Sequence, residues 1–341
     1  MRMLVLTFII LLVSPHNLHA GRADKAGTAA ATELLIPVGA SSIAMGGANL
    51  ASVTGVEALF WNPAGTAFST HSYGATFSHM NYLADIGIEY VAMTMNLEDF
   101  GSVGFSSKIL SVGAIPVTTA DMPDGTGATV SPSFVTLSGM LSKMITDKIS
   151  VGLVGHYIIE KMDKVSATGV AFTGGLQYHG LGGVDGLNMG VVVRNIGPTL
   201  QFTGDGLTYT GELDDVLLPP GQYNVEAASN DLPSTIEFCL GYVAGISDKA
   251  KTTISATFQN NNYSADEYKV GLEALYLEQF ALRGGYTFSS DDEGQGYLFG
   301  STFGVGMETV IENIVFHFDY SYRSLKTFTP NHVITVSMGF N

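Results

Sequence analysis

The chain has 341 residues, of which only 13% are charged, with 41 glycines and a formal net charge of −16. Lys and Arg together number 15, which is too little basic surface for phosphate contacts and argues against nucleic acid as a partner. The single cysteine, Cys239, excludes an internal disulfide, and its place in an apolar run predicts an inert small side chain. The low fraction of charged residues would suit a membrane protein, but no apolar run after the N-terminus is long enough for a membrane-spanning helix. This combination favours β-strands that cross the lipid.

The first twenty residues have the pattern of a cleaved export signal. Arg2 gives a positive start, residues 4–13 are apolar, and the Leu-His-Ala at 18–20 forms a tolerable cleavage site. The apolar stretch is about half of the roughly 20 residues that a membrane-spanning helix needs. We therefore predict a signal peptide over 1–20 and passage of the mature chain through the periplasm.

Residues 21–71 are too many for a tail and too rich in small residues for a domain of their own. A barrel of about fourteen strands encloses more space than its own side chains fill, so a plug is expected. Within the stretch Ala-Leu-Phe-Trp-Asn-Pro-Ala-Gly at 58–65, Asn62 can cap a helical turn that has Pro63 at its first position. We predict a hatch over 21–71 whose central motif is Trp61, Asn62, Pro63 and Ala64.

From residue 72 to 341, short runs alternate apolar and polar residues, which is the period of a β-strand. Turn residues divide this region into fourteen runs, at 72–79, 85–95, 101–111, 131–143, 149–160, 169–178, 187–196, 235–243, 250–259, 268–276, 280–288, 297–306, 314–322 and 332–340. Short connections alternate with longer ones such as 112–130 and 197–234, as in outer-membrane barrels. We predict an all-β, transmembrane antiparallel barrel of about fourteen strands in the bacterial outer membrane, with twelve or sixteen strands left open.

The charged residues of the strands fall on one face when the more apolar face is taken as lipid-facing. Aromatic residues such as Tyr90 and Tyr322 then fall on the lipid side near strand ends, where amphipathic rings favour the headgroup level. A Lys or Arg facing lipid at mid-bilayer would cost about 2–4 kcal/mol. We predict a polar network in the lumen, formed by Glu89, Lys108, His156, Arg194, Glu237, Lys269, Glu273, Arg283, His317 and Asp319.

Acidic residues are concentrated between the predicted strands, for example at 121–124 and 291–293. Solvated loops are the favoured interpretation of this pattern. A divalent-cation site stays open because carboxylates are hard-ion ligands, although no EF-hand spacing occurs.

Several stretches recur in a characteristic order along the chain. After the segment at 58–65 come Val-Arg-Asn-Ile-Gly-Pro at 193–198, Leu-Pro-Ser at 232–234, Leu-Arg-Gly-Gly-Tyr at 282–286 and Asp-Tyr-Ser-Tyr at 319–322. This order resembles the PorV/PorQ family of outer-membrane proteins, itself similar to the FadL-type channels. The resemblance implies a fourteen-stranded barrel with an N-terminal hatch. For PorV-like members it implies type IX secretion, in which the barrel receives the C-terminal domains of secreted cargo, and for FadL-like members admission of hydrophobic small molecules.

Two functions follow as the main and the alternative hypothesis. A non-enzymatic component of type IX secretion would bind cargo or the secretion machinery through its rim and outer loops, and its candidate surface is Leu217, Leu218, Pro219, Pro220 and Tyr223. A channel for hydrophobic small molecules would need an apolar pocket below the loops and a moving hatch. Ten lumen charges argue against a dry apolar bore and leave a ligand site at the outer mouth open.

Catalysis is not supported by the sequence. No Gly-x-Ser-x-Gly, His-Glu-x-x-His, cysteine pair, phosphate loop or dinucleotide fingerprint occurs, and we expect no cofactor and no catalytic metal. His156 and His317 fall on different strands without an identifiable nucleophile, so we interpret both as hydrogen-bonded lumen residues.

Overall fold

Fourteen antiparallel strands close into one barrel in a computed structural model that describes residues 23–84, 86–211, 221–289 and 298–341. The barrel strands β1 to β14 are, in chain order, Tyr73–Asn81, Gly87–Asn96, Ser102–Ser111, Ser133–Met144, Ile149–Met162, Val165–His179, Leu187–Ile196, Thr235–Ser247, Ala250–Asn261, Glu267–Tyr276, Phe280–Ser289, Phe299–Ile311, Ile314–Leu325 and Asn331–Phe340. The predicted count of fourteen is confirmed. The predicted signal peptide, 1–20, lies outside the described residues.

The last strand pairs with the first, which closes the barrel. The pairing runs from Tyr73 opposite Phe340 to Asn81 opposite His332. At the end of this seam the rings of Tyr73 and Phe340 stack with centroids 5.2 Å apart, and Ser72 N donates to Asn341 Oδ1 at 2.9 Å. Closure is required because each unpaired backbone group at a strand edge would cost several kcal/mol in hydrocarbon.

The two ends of the barrel differ in the length of their connections. The start of β1, the end of β14 and short turns such as 145–148 and 277–279 share one end, which we call the turn end. The other end, the loop end, carries the long connections 112–132 and 197–234. Small hairpins lie within them, pairing Ile115–Pro116 with Thr129–Val130, Leu200–Gln201 with Ser229–Asn230 and Thr208–Gly211 with Gly221–Asn224. In outer-membrane barrels short turns face the periplasm and longer loops face outward.

The outside of the barrel carries large apolar side chains that remain open to the surroundings. Six examples from different strands are between 49% and 64% exposed: Phe77, Phe105, Leu153, Phe238, Leu282 and Phe303. Their apolar area is stabilised by acyl chains and would be destabilising in water. Within the described part of the chain, no helix is both long and apolar enough to cross a membrane.

The inside of the barrel is occupied by the N-terminal segment, which we define as residues 23–71. Two short α-helices, α1 (Ala40–Ala44) and α2 (Ala58–Trp61), lie in it. Short 3₁₀ turns accompany them at Ala23–Lys25, Thr32–Leu35, Gly55–Glu57 and Pro63–Phe68. The α1 helix packs on β11 to β14, and the turn Pro63–Phe68 packs on β4 to β6. Apolar residues of the N-terminal segment form two clusters with residues of the strands, so protein packs the lumen at these levels.

Glycines on the strands let the N-terminal segment approach the wall closely. A Cβ atom added to Gly152 of β5 would lie 2.5 Å from the carbonyl carbon of Pro63, and one added to Gly271 of β10 would lie 2.5 Å from Met45 O. No real Cβ contact is that short, so these positions require glycine for the present packing.

Candidate functional site

The Asn62 side chain fixes the corner between α2 and the turn Pro63–Phe68. Its Oδ1 accepts a hydrogen bond from Ala64 N at 3.3 Å, and Pro63 is the first residue of the turn, as the sequence predicts. Its Nδ2 donates to Leu50 O at 2.8 Å and to Leu176 O of β6 at 3.1 Å. One fully buried amide therefore joins two parts of the N-terminal segment to the barrel wall.

Trp61 links the same corner to the start of α1. Its indole Nε1 donates to Val38 O at 2.8 Å, and its ring meets that of Phe60 edge to face at 5.4 Å. Only 5% of Trp61 is exposed. A buried indole needs a partner for its N–H, so this bond holds the two helical parts of the segment in one arrangement.

Glu57, the residue before α2, connects α2 to α1 through its side chain. Its carboxylate accepts hydrogen bonds from Ser41 Oγ and from Ser42 N, the latter at 3.1 Å. Burial raises the pKa of Glu57, and the bonds from Ser41 and Ser42 oppose that change. The acid therefore acts as an internal cap of α1 within the segment.

Arg194 lies at a β-bulge near the loop end of β7. The register between β6 and β7 shifts between Phe172 and Gly174, and Asn195 adopts a left-handed φ of 57°. The extra residue lets Arg194 and Asn195, although adjacent in sequence, both point into the lumen, which a regular strand does not allow.

The Arg194 guanidinium joins the wall to the end of α2. Nε forms an ion pair with Glu237 of β8, Nη1 donates to Phe60 O at 2.5 Å, and Nη2 donates to Trp61 O. Carbonyls at a helix C-terminus lack partners within the helix and attract cations. Because the side chain of Glu237 is only 3% exposed and that of Arg194 11%, water competes little with these bonds.

Lys108 of β3 holds a different part of the segment. Its Nζ donates to Glu33 O at 2.8 Å, to Ile36 O at 3.2 Å and to Leu34 O at 3.4 Å. The two lumen cations Lys108 and Arg194 thus bind backbone carbonyls of the N-terminal segment at two separate places.

The other predicted lumen residues form small separate groups of side chains. Arg283 lies between Glu273, at 2.6 Å, and Asp319, at 2.5 Å. The remaining contacts are Lys269 Nζ with Glu267 at 3.3 Å, His317 with Glu308 at 3.5 Å, and His156 with Ser138 at 2.8 Å and Thr173 at 3.0 Å. Among the described residues, no group of three or more His, Cys, Asp and Glu side chains is placed to hold a metal ion.

The prediction for Glu89 is wrong. Glu89 shares a face of β2 with Val91 and Met93, which are 41% and 60% exposed, and it pairs with His79 at 2.6 Å near the loop end. Tyr90, predicted to face lipid, is instead buried beside the ring of Phe60. The sequence rule fails here because the N-terminal segment presents apolar side chains to β2, so the lumen face of that strand is itself apolar.

The predicted partner loop is described only in part. Leu217, Leu218, Pro219 and Pro220 lie outside the described residues. Tyr223 lies in the hairpin Gly221–Asn224, directly opposite Tyr209, and both rings are exposed.

A cavity of about 390 Å³ lies at the loop end, between the N-terminal segment and strands β7 to β13. The segment contributes apolar side chains to its wall: Leu34, Leu35, Ile36, Ile43, Phe60 and Trp61. The strands contribute mainly polar ones, among them Arg194, Glu237, Gln259, Asn261, Glu267 and Lys269. We call this space the mouth cavity. It can accept a small molecule with one apolar side and one hydrogen-bonding side.

Four residues of the cavity wall were predicted from the sequence as hatch or lumen residues: Trp61, Arg194, Glu237 and Lys269. The cavity residues within 32–37 were not predicted. That stretch carries no motif, and only the fold of the segment brings its apolar side chains opposite polar strand residues. Glu267 lies one residue before the predicted strand run 268–276, whereas in the structure it begins β10 and pairs with Lys269.

A closed fourteen-stranded barrel with an apolar exterior defines an outer-membrane β-barrel protein, and the predicted outer-membrane location is confirmed. The fold is similar to those of solved hydrocarbon channels. They include the CymD monoaromatic hydrocarbon channel, with TM-score 0.56 and 12% identity over 89% of this chain and 97% of that chain. The Pseudomonas putida toluene transporter TodX gives TM-score 0.53 and 13% identity over 88% and 97%. A TodX variant named deltaS2S3 gives 0.56 and 13% over 96% and 100%.

At identities of 12–13% these comparisons establish a shared fold. No protein-family profile matches the chain, and comparison with curated proteins gives no match. Membership of the PorV/PorQ family stays a prediction.

Proposed function

We propose that the protein is an outer-membrane channel for hydrophobic small molecules, closed at rest by its N-terminal segment. The observation that carries the proposal is the mouth cavity, which lies at the loop end directly against the Trp61–Asn62 corner of the segment. The likeness in fold to channels named for toluene and monoaromatic hydrocarbons supports this alternative hypothesis over the secretion role.

The cavity wall favours a ligand with an apolar body and a polar group. A pure hydrocarbon would bury the carboxylate and amide groups of Glu237, Gln259 and Asn261 without replacing their contact with water, which costs free energy. A ligand that carries one N–H or O–H donor can instead hydrogen-bond the strand side while its apolar part packs against Phe60 and Trp61.

Passage through the barrel requires the segment to move. Below the mouth cavity, Asn62 contacts β6 and the turn Pro63–Phe68 packs against β4 to β6, with Asn62 to Thr66 buried. The bonds of Arg194 and Lys108 to backbone carbonyls retain the segment in this position. Movement of such an element is the usual way in which a closed site admits and releases a ligand.

The experiment measures entry of N-phenyl-1-naphthylamine, an apolar aromatic amine with one N–H, into cells. The full chain is expressed in the outer membrane of a host that lacks channels of this fold, and the initial rate of dye uptake is followed by fluorescence. We expect wild type to exceed the empty host several-fold. Uptake equal to that of the empty host, at matched amounts of folded barrel, contradicts the proposal.

A matched pair of variants ties uptake to the cavity. Ser264→Trp places a large ring in the cavity wall, whereas Asn262→Trp places it at an exposed position of the same loop. We expect the first variant to fall toward the rate of the empty host and the second to keep the wild-type rate. Equal rates for the two variants would remove the mouth cavity from the route.

The secretion role stays a prediction. Most of its candidate surface, Leu217 to Pro220, lies outside the described residues, and the exposed Tyr209–Tyr223 pair alone does not identify a protein partner. Co-purification of secreted proteins that share a C-terminal domain, with no dye uptake by the barrel, would restore it.

A further inference from the structure

Arg194 touches both the mouth cavity and the N-terminal segment. It borders the cavity together with Glu237, Phe60 and Trp61, and the same guanidinium donates to the carbonyls of Phe60 and Trp61. All four residues that share these bonds therefore meet the space in which a ligand would lie.

The bulge in β7 turns Asn195 inward beside Arg194, which already faces the lumen in the regular alternation of the strand. The neighbouring inward residue, Asn195, uses its side chain elsewhere, donating from Nδ2 to Pro233 O at 3.1 Å. Arg194 keeps its lumen-facing place in the alternation of the strand and reaches across to α2. On the wall side, Thr235 Oγ1 donates to the Glu237 carboxylate at 3.4 Å, which helps to fix the acceptor of Nε.

The guanidinium group suits a three-way connection. Its N–H donors form a rigid planar fork, so turning one edge of the fork toward a new acceptor turns the other edge as well. A ligand that donates to Glu237, or accepts from Arg194, competes directly with the Arg194–Glu237 ion pair. The fork then leaves the geometry in which Nη1 and Nη2 meet the Phe60 and Trp61 carbonyls.

We propose that Arg194 is the positioning residue that couples occupancy of the mouth cavity to release of the N-terminal segment. The proposal rests on the function proposed above and names the group through which the ligand acts on the segment. A ligand shifts the equilibrium between the seated and the released segment only if it binds one of the two states more tightly. Here the ligand competes with the Arg194–Glu237 ion pair, which exists in the closed state, so its affinity for the two states differs.

Lys108 provides a matched control. It also holds the segment by donating to backbone carbonyls, at Glu33 and Ile36, and it is buried like Arg194. Within the described part of the chain, Lys108 lies outside the wall of the mouth cavity. Loss of Lys108 should loosen the segment without removing its response to ligand.

The experiment measures amide hydrogen exchange over residues 55–68 in the full chain in lipid nanodiscs, with and without N-phenyl-1-naphthylamine. In wild type we expect the dye to accelerate exchange on the order of tenfold, the usual range of coupling between two sites. In Arg194→Gln, exchange should be fast without dye and change little when dye is added. In Lys108→Met, exchange should rise without dye while the dye-induced ratio stays near the wild-type value. Arg194→Lys, which keeps the charge but not the fork, should retain only part of the ratio.

Energy transfer from Trp61, the single tryptophan, to the dye reports binding independently of exchange. The proposal is overturned if the ratio of exchange rates with and without dye in Arg194→Gln equals that of wild type. It is also overturned if Arg194→Gln and Lys108→Met lose this ratio equally. Dye that binds wild type next to Trp61 without accelerating exchange overturns it as well. If wild-type cells take up dye and the Arg194 result fails, the coupling alone is wrong, whereas absence of wild-type uptake removes the proposed function itself.

Discussion

Arg283 illustrates how a single side chain keeps charge inside the barrel. It contacts Glu273 of β10 and Asp319 of β13, and all three side chains are at most 23% exposed. Buried ion pairs contribute little net stability against well-packed apolar residues, but breaking one leaves an uncompensated charge. The role of Arg283 is therefore to neutralise two carboxylates that share one small volume.

We expect Arg283→Met to lower the free energy of unfolding by about 3–5 kcal/mol, because Glu273 and Asp319 then remain charged without a partner. The triple variant that adds Glu273→Gln and Asp319→Asn should recover much of this loss. Urea unfolding in lipid vesicles measures both. A single variant as stable as the triple variant would show that the carboxylates are solvated and not paired.

Asn62 is the residue on which the corner of the N-terminal segment depends. Asn62→Ala removes the cap, worth about 1 kcal/mol, and withdraws a donor from each of two buried carbonyls, at about 1–3 kcal/mol each where no other donor replaces it. Gln177 also donates to Leu50 O, so we expect the lower part of this range there.

The measurement for Asn62→Ala is Trp61 emission during urea titration, because the single tryptophan lies in the segment and reports it separately from the barrel. The transition should move to lower urea than in wild type. Asn224→Ala, at an exposed hairpin position, is the control and should leave the transition unchanged. Identical transitions for the two variants would contradict the role assigned to Asn62.

At the scale of elements, the N-terminal segment packs closely on the barrel wall because the wall carries glycines at the contact positions. Gly152→Ala would place a methyl group against Pro63, whereas a Cβ added at Gly139 of β4 meets nothing within 4 Å. Overpacking costs typically 1–3 kcal/mol. We expect Gly152→Ala to raise the rate of amide hydrogen exchange over residues 58–68 and Gly139→Ala to leave it unchanged. Equal exchange rates in the two variants would mean that the segment does not pack on β5.

The lipid-facing side of the strands gives a second prediction. Val305, near the middle of β12, is 53% exposed on the outer face. Val305→Lys should cost about 2–4 kcal/mol of folding free energy in vesicles, and Val305→Leu should cost much less. A loss for Val305→Lys as small as that for Val305→Leu would place this side of β12 in contact with water.

The strands were predictable from sequence because a period of two is a local signal, and all fourteen runs match barrel strands. Which face of a strand points into the lumen is not determined by the local sequence alone. In β2 the face toward the lumen is apolar because Phe60 and its neighbours pack on it, which led to the wrong prediction for Glu89. The bonds of Arg194 were equally hidden, because the carbonyls of Phe60 and Trp61 that it meets are more than 130 residues away in sequence.

At the scale of the whole molecule, the apolar exterior fixes the protein in the outer membrane, and the N-terminal segment packs inside the barrel. Buried apolar residues of the N-terminal segment pack against the strands at the level of α1 and α2. Under the proposed function, transport depends on the free-energy difference between the seated and the released segment, to which the contacts of Arg194, Lys108 and Asn62 contribute.

Ion current through single copies of the full chain in planar lipid bilayers tests this account most directly. The account predicts no resolved current in wild type without ligand, because the seated segment closes the barrel, and frequent openings in Arg194→Gln. A steady, ohmic current through the wild-type barrel, of the kind given by a water-filled porin, would contradict it.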